Sequence, residues 1–181
     1  MRKIPFEKDI YAISDDVTLL KEAIEQGAKI VQLRDKNADK ESIIEKSHKL
    51  LMLKKNTDFI FILNDEPEIA VAVGADGVHI GQDYDTKQAR KTIGDDAILG
   101  KTTHGIEQAM LAVNEGADYV SAGPVFATPT KPDRKPTTLN YVTQITRANL
   151  PIPFVAIGGI DLSNIDIVLG AGAKTVGIVR A

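Results

Sequence analysis

Basic, acidic and small polar residues recur in this sequence just after short apolar runs. Arg34 and Lys36 follow Gln32-Leu33, Lys131 closes Thr128-Pro129-Thr130-Lys131, and Arg180 follows Val179. Guanidinium and ammonium groups so placed suit phosphate oxygens. Asn64-Asp65 and Asp83-Tyr84-Asp85 bring carboxylates. Such groups suit a hard divalent ion, and Mg²⁺ commonly takes one or two carboxylates and leaves its other positions to water and substrate phosphates. Gly158-Gly159 can turn bare backbone N–H groups toward a second phosphate. The set predicts a site for a metal-bound diphosphate beside a monophosphate.

Each residue also has a plainer use. Arg34 and Lys36 alternate along an extended segment and so point to one face, where two cations are costly unless paired. Asn64 or Asp65 could cap the next helix. Asp15 and Asp16 read as a helix start, and His104 and His48 as surface or helix-start residues. His79 lies within an apolar run and reads as a buried, hydrogen-bonded core histidine. The connection from 124 to about 137 is long, which favours a binding loop or lid over a plain link.

The elements that must carry these residues are legible from hydrophobic patterning. Eight brief, β-branched runs occur at 10–14, 30–34, 59–64, 77–80, 97–102, 119–123, 153–158 and 175–179. Continuous apolarity over so few residues marks strands buried on both faces. Segments of helical period separate them, as at 39–55, where Ile43, Ile44, Leu50 and Leu51 share a face. Gly-Ala followed by Lys or Asp recurs at 27–29, 74–76, 116–118 and 172–174, before every second run. A glycine there can end a helix in the left-handed conformation. That regularity predicts an α/β chain folded as one (β/α)8 TIM barrel over 1–181, built from two-strand units. A barrel commonly takes ~250 residues, and the sequence shown stops at Ala181, so no eighth helix can be written. Apolar surface beside the first and last strands would then call for another cover, such as a second subunit.

Composition narrows the chemistry. The 181 residues include 22 basic and 25 acidic side chains, a net charge of −3, and no cysteine. A nucleic-acid partner is disfavoured by that balance, and thiolate metal sites and cysteine nucleophiles are excluded. No apolar run reaches the roughly 18 residues of a membrane span and no signal peptide opens the chain, so a cytoplasmic location is expected. Two glycine motifs mislead. Gly94-x5-Gly100-Lys101-Thr102 has one residue too many for a P-loop and leads into a strand. Gly170-Ala-Gly172 lacks the third glycine of a dinucleotide fingerprint.

Gln32-Leu33-Arg34-x-Lys36, Asn64-Asp65, Gly74-Ala-Asp-Gly-Val-His-Ile-Gly-Gln82, Gly123-Pro-Val-Phe126-x-Thr128-Pro-Thr-Lys131 and Ala156-Ile-Gly-Gly-Ile160 together resemble the thiamine phosphate synthase family, over almost the whole chain. The related thiazole tautomerases share the scaffold but generally lack the Thr-Pro-Thr-Lys loop. The resemblance implies a transferase of thiamine biosynthesis. It would join hydroxymethylpyrimidine diphosphate to thiazole phosphate with release of pyrophosphate, using Mg²⁺. Gln32, Arg34, Lys36 and Asn64 would hold the pyrimidine diphosphate. Asp65 and a carboxylate after the fourth strand, Asp83 or Asp85, would bind the metal, because Tyr84 stands at the family's usual acidic position. Thr102 would replace a serine hydroxyl. Thr128, Thr130 and Lys131 would close over both substrates, and Gly159, Val179 and Arg180 would receive the thiazole phosphate. Arg34, Lys36, Thr102 and Lys131 are the expected catalytic set. The alternatives kept beside it are a thiazole tautomerase-like enzyme and a binder of thiamine phosphates without turnover.

Overall fold

In the computed structural model, which describes residue 6 and residues 9–128 and 135–179, the strands close into a parallel barrel. Strand β1 is Asp9–Ser14, β2 Ile30–Leu33, β3 Ile60–Asn64 and β4 Gly77–Ile80. Strand β5 is Ile98–Thr103, β6 Tyr119–Ala122, β7 Phe154–Ile157 and β8 Thr175–Val179. The order is sequential, and β8 closes on β1 with Ile13 opposite Val179. Helices α1 (Val17–Glu25), α2 (Lys40–Leu53), α3 (Pro67–Val73), α4 (Thr86–Ile93), α5 (Ile106–Asn114), α6 (Thr138–Ala148) and α7 (Ile165–Gly170) connect successive strands. All eight expected strands occur within one or two residues of their predicted bounds. Among the described residues no helix is long and apolar enough to cross a membrane.

Alternation along the strands divides the core in two. Tyr11, Ile13, Ile30, Ile62, Ile98, Tyr119 and Val155 point into the barrel, with Phe6 packed against the two tyrosines. Val31, Leu33, Phe61, Leu63, Val78 and Leu99 point outward and pack under helices through Leu20, Ile43 and Leu50. Each fully buried leucine contributes about 1.5–3 kcal/mol of burial. In α2 the expected apolar face is present: Ile43 and Leu50 are buried, while Ile44 and Leu51 pack at its edge. Asp16 caps α1 by accepting from the Thr18 N–H, as read from the sequence.

The Gly-Ala repeat has a clear physical basis. Gly27, Gly74, Gly116 and Gly172 all have positive φ, between 75° and 105°. In the two Gly-Ala-Asp copies the aspartate adds a clamp. Asp76 donates its N–H to the Phe61 carbonyl, and its carboxylate accepts the Phe61 N–H at 2.7 Å. Asp118 does the same for Leu99. Lys54 and Arg90 complete these two carboxylates as ion pairs. Each clamp fixes where a strand starts, and therefore where its far end emerges.

Candidate active site

A cavity of about 350 Å³ opens at the carboxyl ends of the strands. That is the face on which barrel enzymes carry their sites, and the size falls within the range of small-molecule pockets. Gln32, Arg34, Lys36, Asn64, Asp65, Thr102, Thr128, Gly159 and Val179 all line it. Thr130, Lys131 and Arg180 lie outside the described residues.

Strand β2 supplies the first group. Gln32 is buried, and its amide donates to the Tyr11 hydroxyl at 2.7 Å. The strand ends at Leu33, one residue before the expected end, but the Arg34 N–H still reaches the Ser14 carbonyl at 2.9 Å. The following turn is built by Asp35, whose carboxylate accepts the N–H groups of Asn37 and Ala38. A hydrogen bond from Lys46 holds the Asp35 carboxyl below its ordinary range. Lys36 therefore lies in an anchored turn and not on the strand, yet it shares the cavity with Arg34.

Asp65 does not cap a helix. Its Oδ1 accepts the Gly81 N–H at 3.2 Å, and its Oδ2 accepts from the Asn64 amide at 2.7 Å. Lys36 Nζ stands 3.6 Å from Oδ2. Asp65 and Glu66 both have positive φ, and α3 begins with no side-chain cap. The turn after β3 thus aims a carboxylate along the rim of the cavity.

The turn after β4 brings a second carboxylate to the same place. A methyl group on Gly81 would come within 2.4 Å of Asp83 Oδ1 and 3.9 Å of Asp65 Oδ1, so both oxygens lie near one point that only glycine leaves open. Asp83 is exposed on the rim beside the cavity. Asp85 is used differently from the alternative read in the sequence: it caps α4 by accepting the Gln88 N–H at 2.9 Å. Tyr84 packs against the outer core instead of facing the cavity. Lys101, part of the misleading glycine motif, donates from its buried ammonium to the carbonyls of Gly81 (2.8 Å) and Tyr84 (2.6 Å). Burial draws the Lys101 ammonium below its ordinary pKa. It ties down the turn that carries Asp83.

On the opposite wall the β6 and β7 loops are joined. The Val125 and Phe126 N–H groups donate to the carbonyls of Ile157 and Gly158 at 2.9 and 3.0 Å. Gly159 has φ +65°, and a methyl group there would fall 2.6 Å from the Ala127 carbonyl oxygen. Thr137 closes the base of the long connection by donating its N–H to the Pro124 carbonyl at 2.7 Å.

The sequence reading missed part of the cavity wall. Tyr11, Ser121 and Asp161 also line it. His104, read as a surface or helix-start residue, faces the cavity and pairs through Nδ1 with the Gly123 carbonyl. His79 is buried and hydrogen-bonded as expected, and it lines the cavity as well. The available signal was strand phase: Tyr11 and His79 lie at positions that, by alternation, face inward with Ile13 and Gly77.

Residues 7–181 match the family model described as thiamine monophosphate synthase. Among curated relatives, the thiamine-phosphate synthase of Halalkalibacterium halodurans is 46% identical over 160 residues, which is 87% of this chain and 75% of that protein. That of Synechocystis sp. is 45% identical over 160 residues, and this chain spans 46% of its length. The solved thiamine phosphate pyrophosphorylase from Pyrococcus furiosus superposes with a TM-score of 0.86 at 34% identity, covering 95% of this chain and 85% of that one. The match runs through the strands that build the cavity, and this chain is a member of the thiamine monophosphate synthase family.

Proposed function

We propose that the chain couples hydroxymethylpyrimidine diphosphate to thiazole phosphate, giving thiamine phosphate and pyrophosphate. The supporting observation is one cavity lined by Arg34, Lys36, Asn64, Asp65, Thr102, Thr128 and Gly159. In the reaction the C–O bond to the diphosphate breaks and its electron pair leaves with pyrophosphate. The thiazole nitrogen lone pair forms the new C–N bond. The electrophilic carbon is benzylic to an electron-rich aminopyrimidine, so positive charge can develop on it. No general base or covalent nucleophile is needed.

The residues divide that work. Arg34 and Lys36 offer charge to the departing diphosphate oxygens, where fixed cations in a partly closed site act most strongly. Gln32 and the walls of the barrel position the pyrimidine against the thiazole nitrogen. Gly159 and Val179 receive the thiazole phosphate, with Arg180 beside Val179 in the chain. Thr128, Thr130 and Lys131 belong to the loop that would cover both substrates and exclude water.

The donor set fits Mg²⁺. Asp65 and Asp83 each bring an oxygen near the space left by Gly81, and two carboxylates completed by phosphate and water suit this ion. When bound, Mg²⁺ neutralises charge on the diphosphate oxygens. Because Asp85 is committed to its helix cap, Asp83→Asn is expected to raise the Mg²⁺ concentration for half-maximal activity about tenfold, and Asp85→Asn to leave it within about twofold. A Mg²⁺ titration of both variants checks this, and matching curves would remove Asp83 from the site.

The deciding experiment is pyrophosphate release with both substrates, with each alone, and with chelator. Release is expected only with both substrates and Mg²⁺. Metal-independent turnover of a thiazole substrate alone, or tight binding of thiamine phosphate without turnover, would overturn the reading.

A further inference from the structure

Along the cavity wall, six polar side chains form one chain across the barrel, all buried except the half-buried Thr102. Gln32 Nε2 donates to the Tyr11 hydroxyl at 2.7 Å. The Tyr11 and Tyr119 hydroxyls are 2.9 Å apart, and the Tyr119 hydroxyl is 2.9 Å from His79 Nδ1. His79 Nε2 lies 3.0 Å from Thr102 Oγ1 and 3.4 Å from Ser121 Oγ. Both tyrosines are fully buried, and burial raises the pKa of each hydroxyl, so both remain protonated. Space for the chain is reserved by Gly100: a methyl group there would fall 2.2 Å from the Tyr119 ring and 2.4 Å from His79 Nδ1.

The hydrogen bonds in such a chain must agree in direction. Each tyrosine hydroxyl has one proton to give. With the Gln32 amide turned as it is here, Tyr11 accepts from Gln32 and gives its own proton to Tyr119. Tyr119 then gives its own proton to His79 Nδ1. An imidazole that accepts at Nδ1 carries its hydrogen on Nε2, and that hydrogen goes to Thr102. The Thr102 proton is left for the cavity, and so is the carbonyl oxygen of Gln32.

We propose that Tyr11, Tyr119 and His79 are positioning residues, a one-way hydrogen-bond relay that sets the Gln32 amide as acceptor and the Thr102 hydroxyl as donor toward the pyrimidine diphosphate. None of the three needs to touch the reacting atoms. Their contribution is to remove the choice of amide flip and hydroxyl rotamer before substrate arrives, which is how a polar network specifies one arrangement. A mixed donor and acceptor pair matches the edge of an aminopyrimidine, whose exocyclic amine donates and whose ring nitrogen accepts. The functional half of this inference rests on the synthase reading; the direction of the relay does not.

The test combines a spectrum with kinetics. In protein labelled with ¹⁵N at histidine, the His79 signals are identified by their loss in His79→Gln. The expected form is the Nε2–H tautomer in the wild-type protein and a mixture of tautomers in Tyr119→Phe. Tyr11→Phe, which cuts the relay beyond Tyr119, is expected to leave the tautomer unchanged. Both tyrosine variants are expected to raise KM for the pyrimidine diphosphate by about tenfold, the worth of one or two buried hydrogen bonds, with KM for the thiazole phosphate within about twofold. A wild-type Nδ1–H tautomer, or a tautomer indifferent to Tyr119→Phe, overturns the direction of the relay. Equal rises in both KM values, or none, overturn the positioning role. If Tyr119→Phe does not fold, the wild-type spectrum and Tyr11→Phe still decide. If the wild-type protein turns over neither substrate, the synthase reading fails while the spectrum still judges the relay.

Discussion

Asp65→Asn is expected to lower kcat/KM for pyrophosphate release by roughly 10²–10³-fold, the usual cost of removing a group that stabilises charge in the transition state. The substitution keeps the local geometry. An asparagine carbonyl can still accept the Gly81 N–H that Asp65 Oδ1 accepts at 3.2 Å. It loses the negative charge that stands 3.6 Å from Lys36 Nζ. Because the Lys36 end of the pair is half exposed and the contact is long at 3.6 Å, its loss should shift the melting temperature little. Activity and melting temperature measured on the same preparation separate the two effects. Activity within a few-fold of wild type would show that the Asp65 charge has no part in the reaction. Asp65→Ala would answer a blunter question, since it also releases the hydrogen bond that ties the β3 turn to the β4 turn.

How much of this site could be read beforehand depended on whether the signal was local. The strand ends were legible because a buried parallel strand is a short apolar run, and whatever follows it lies on the functional face. That reasoning brought Gln32, Arg34, Lys36, Asn64, Asp65, Thr102 and Gly159 together from the ends of four different strands, and all seven line the cavity. The Gly-Ala repeat was legible for the same reason, since its glycines satisfy a local backbone requirement. Inward or outward phase was less accessible. The Tyr11 and Tyr119 hydroxyls meet from 108 residues apart, and nothing near either residue announces the other. Lys101 offers the clearest case. It stands in a strand between Gly100 and Thr102, and only the fold shows its ammonium gathering the carbonyls of the preceding turn. The use of Asp85 was decided by the register of α4 with the turn before it, which a spacing argument leaves open. His104 stands at a helix start as read, just before the α5 cap Gly105, and its place on the cavity wall comes from a partner distant in sequence, the Gly123 carbonyl after β6.

Gly159→Ala is expected to lower kcat/KM by tenfold or more, with the larger change in KM for the thiazole phosphate. Two costs arise together. At φ +65° an alanine carries a backbone penalty of about 1 kcal/mol. Its methyl group would also lie 2.6 Å from the Ala127 carbonyl oxygen and 2.8 Å from Phe126 Cβ, so one of the two turns must move. Neither is free to move by itself. Phe126 is hydrogen-bonded to the Gly158 carbonyl, and Asn164 donates to the Gly159 carbonyl at 2.9 Å. A shift at Gly159 therefore passes into the start of the 124–137 loop, where Pro124, Ala127 and Thr128 line the cavity. Gly170→Ala is the matched control, since a methyl group there meets nothing within 4 Å and needs no unusual backbone angle. Separate KM values for the two substrates read the outcome. An unchanged thiazole phosphate KM in Gly159→Ala would place that phosphate elsewhere on the barrel. Equal losses in Gly159→Ala and Gly170→Ala would mean that general destabilisation, and not the close approach of the two loops, sets the effect.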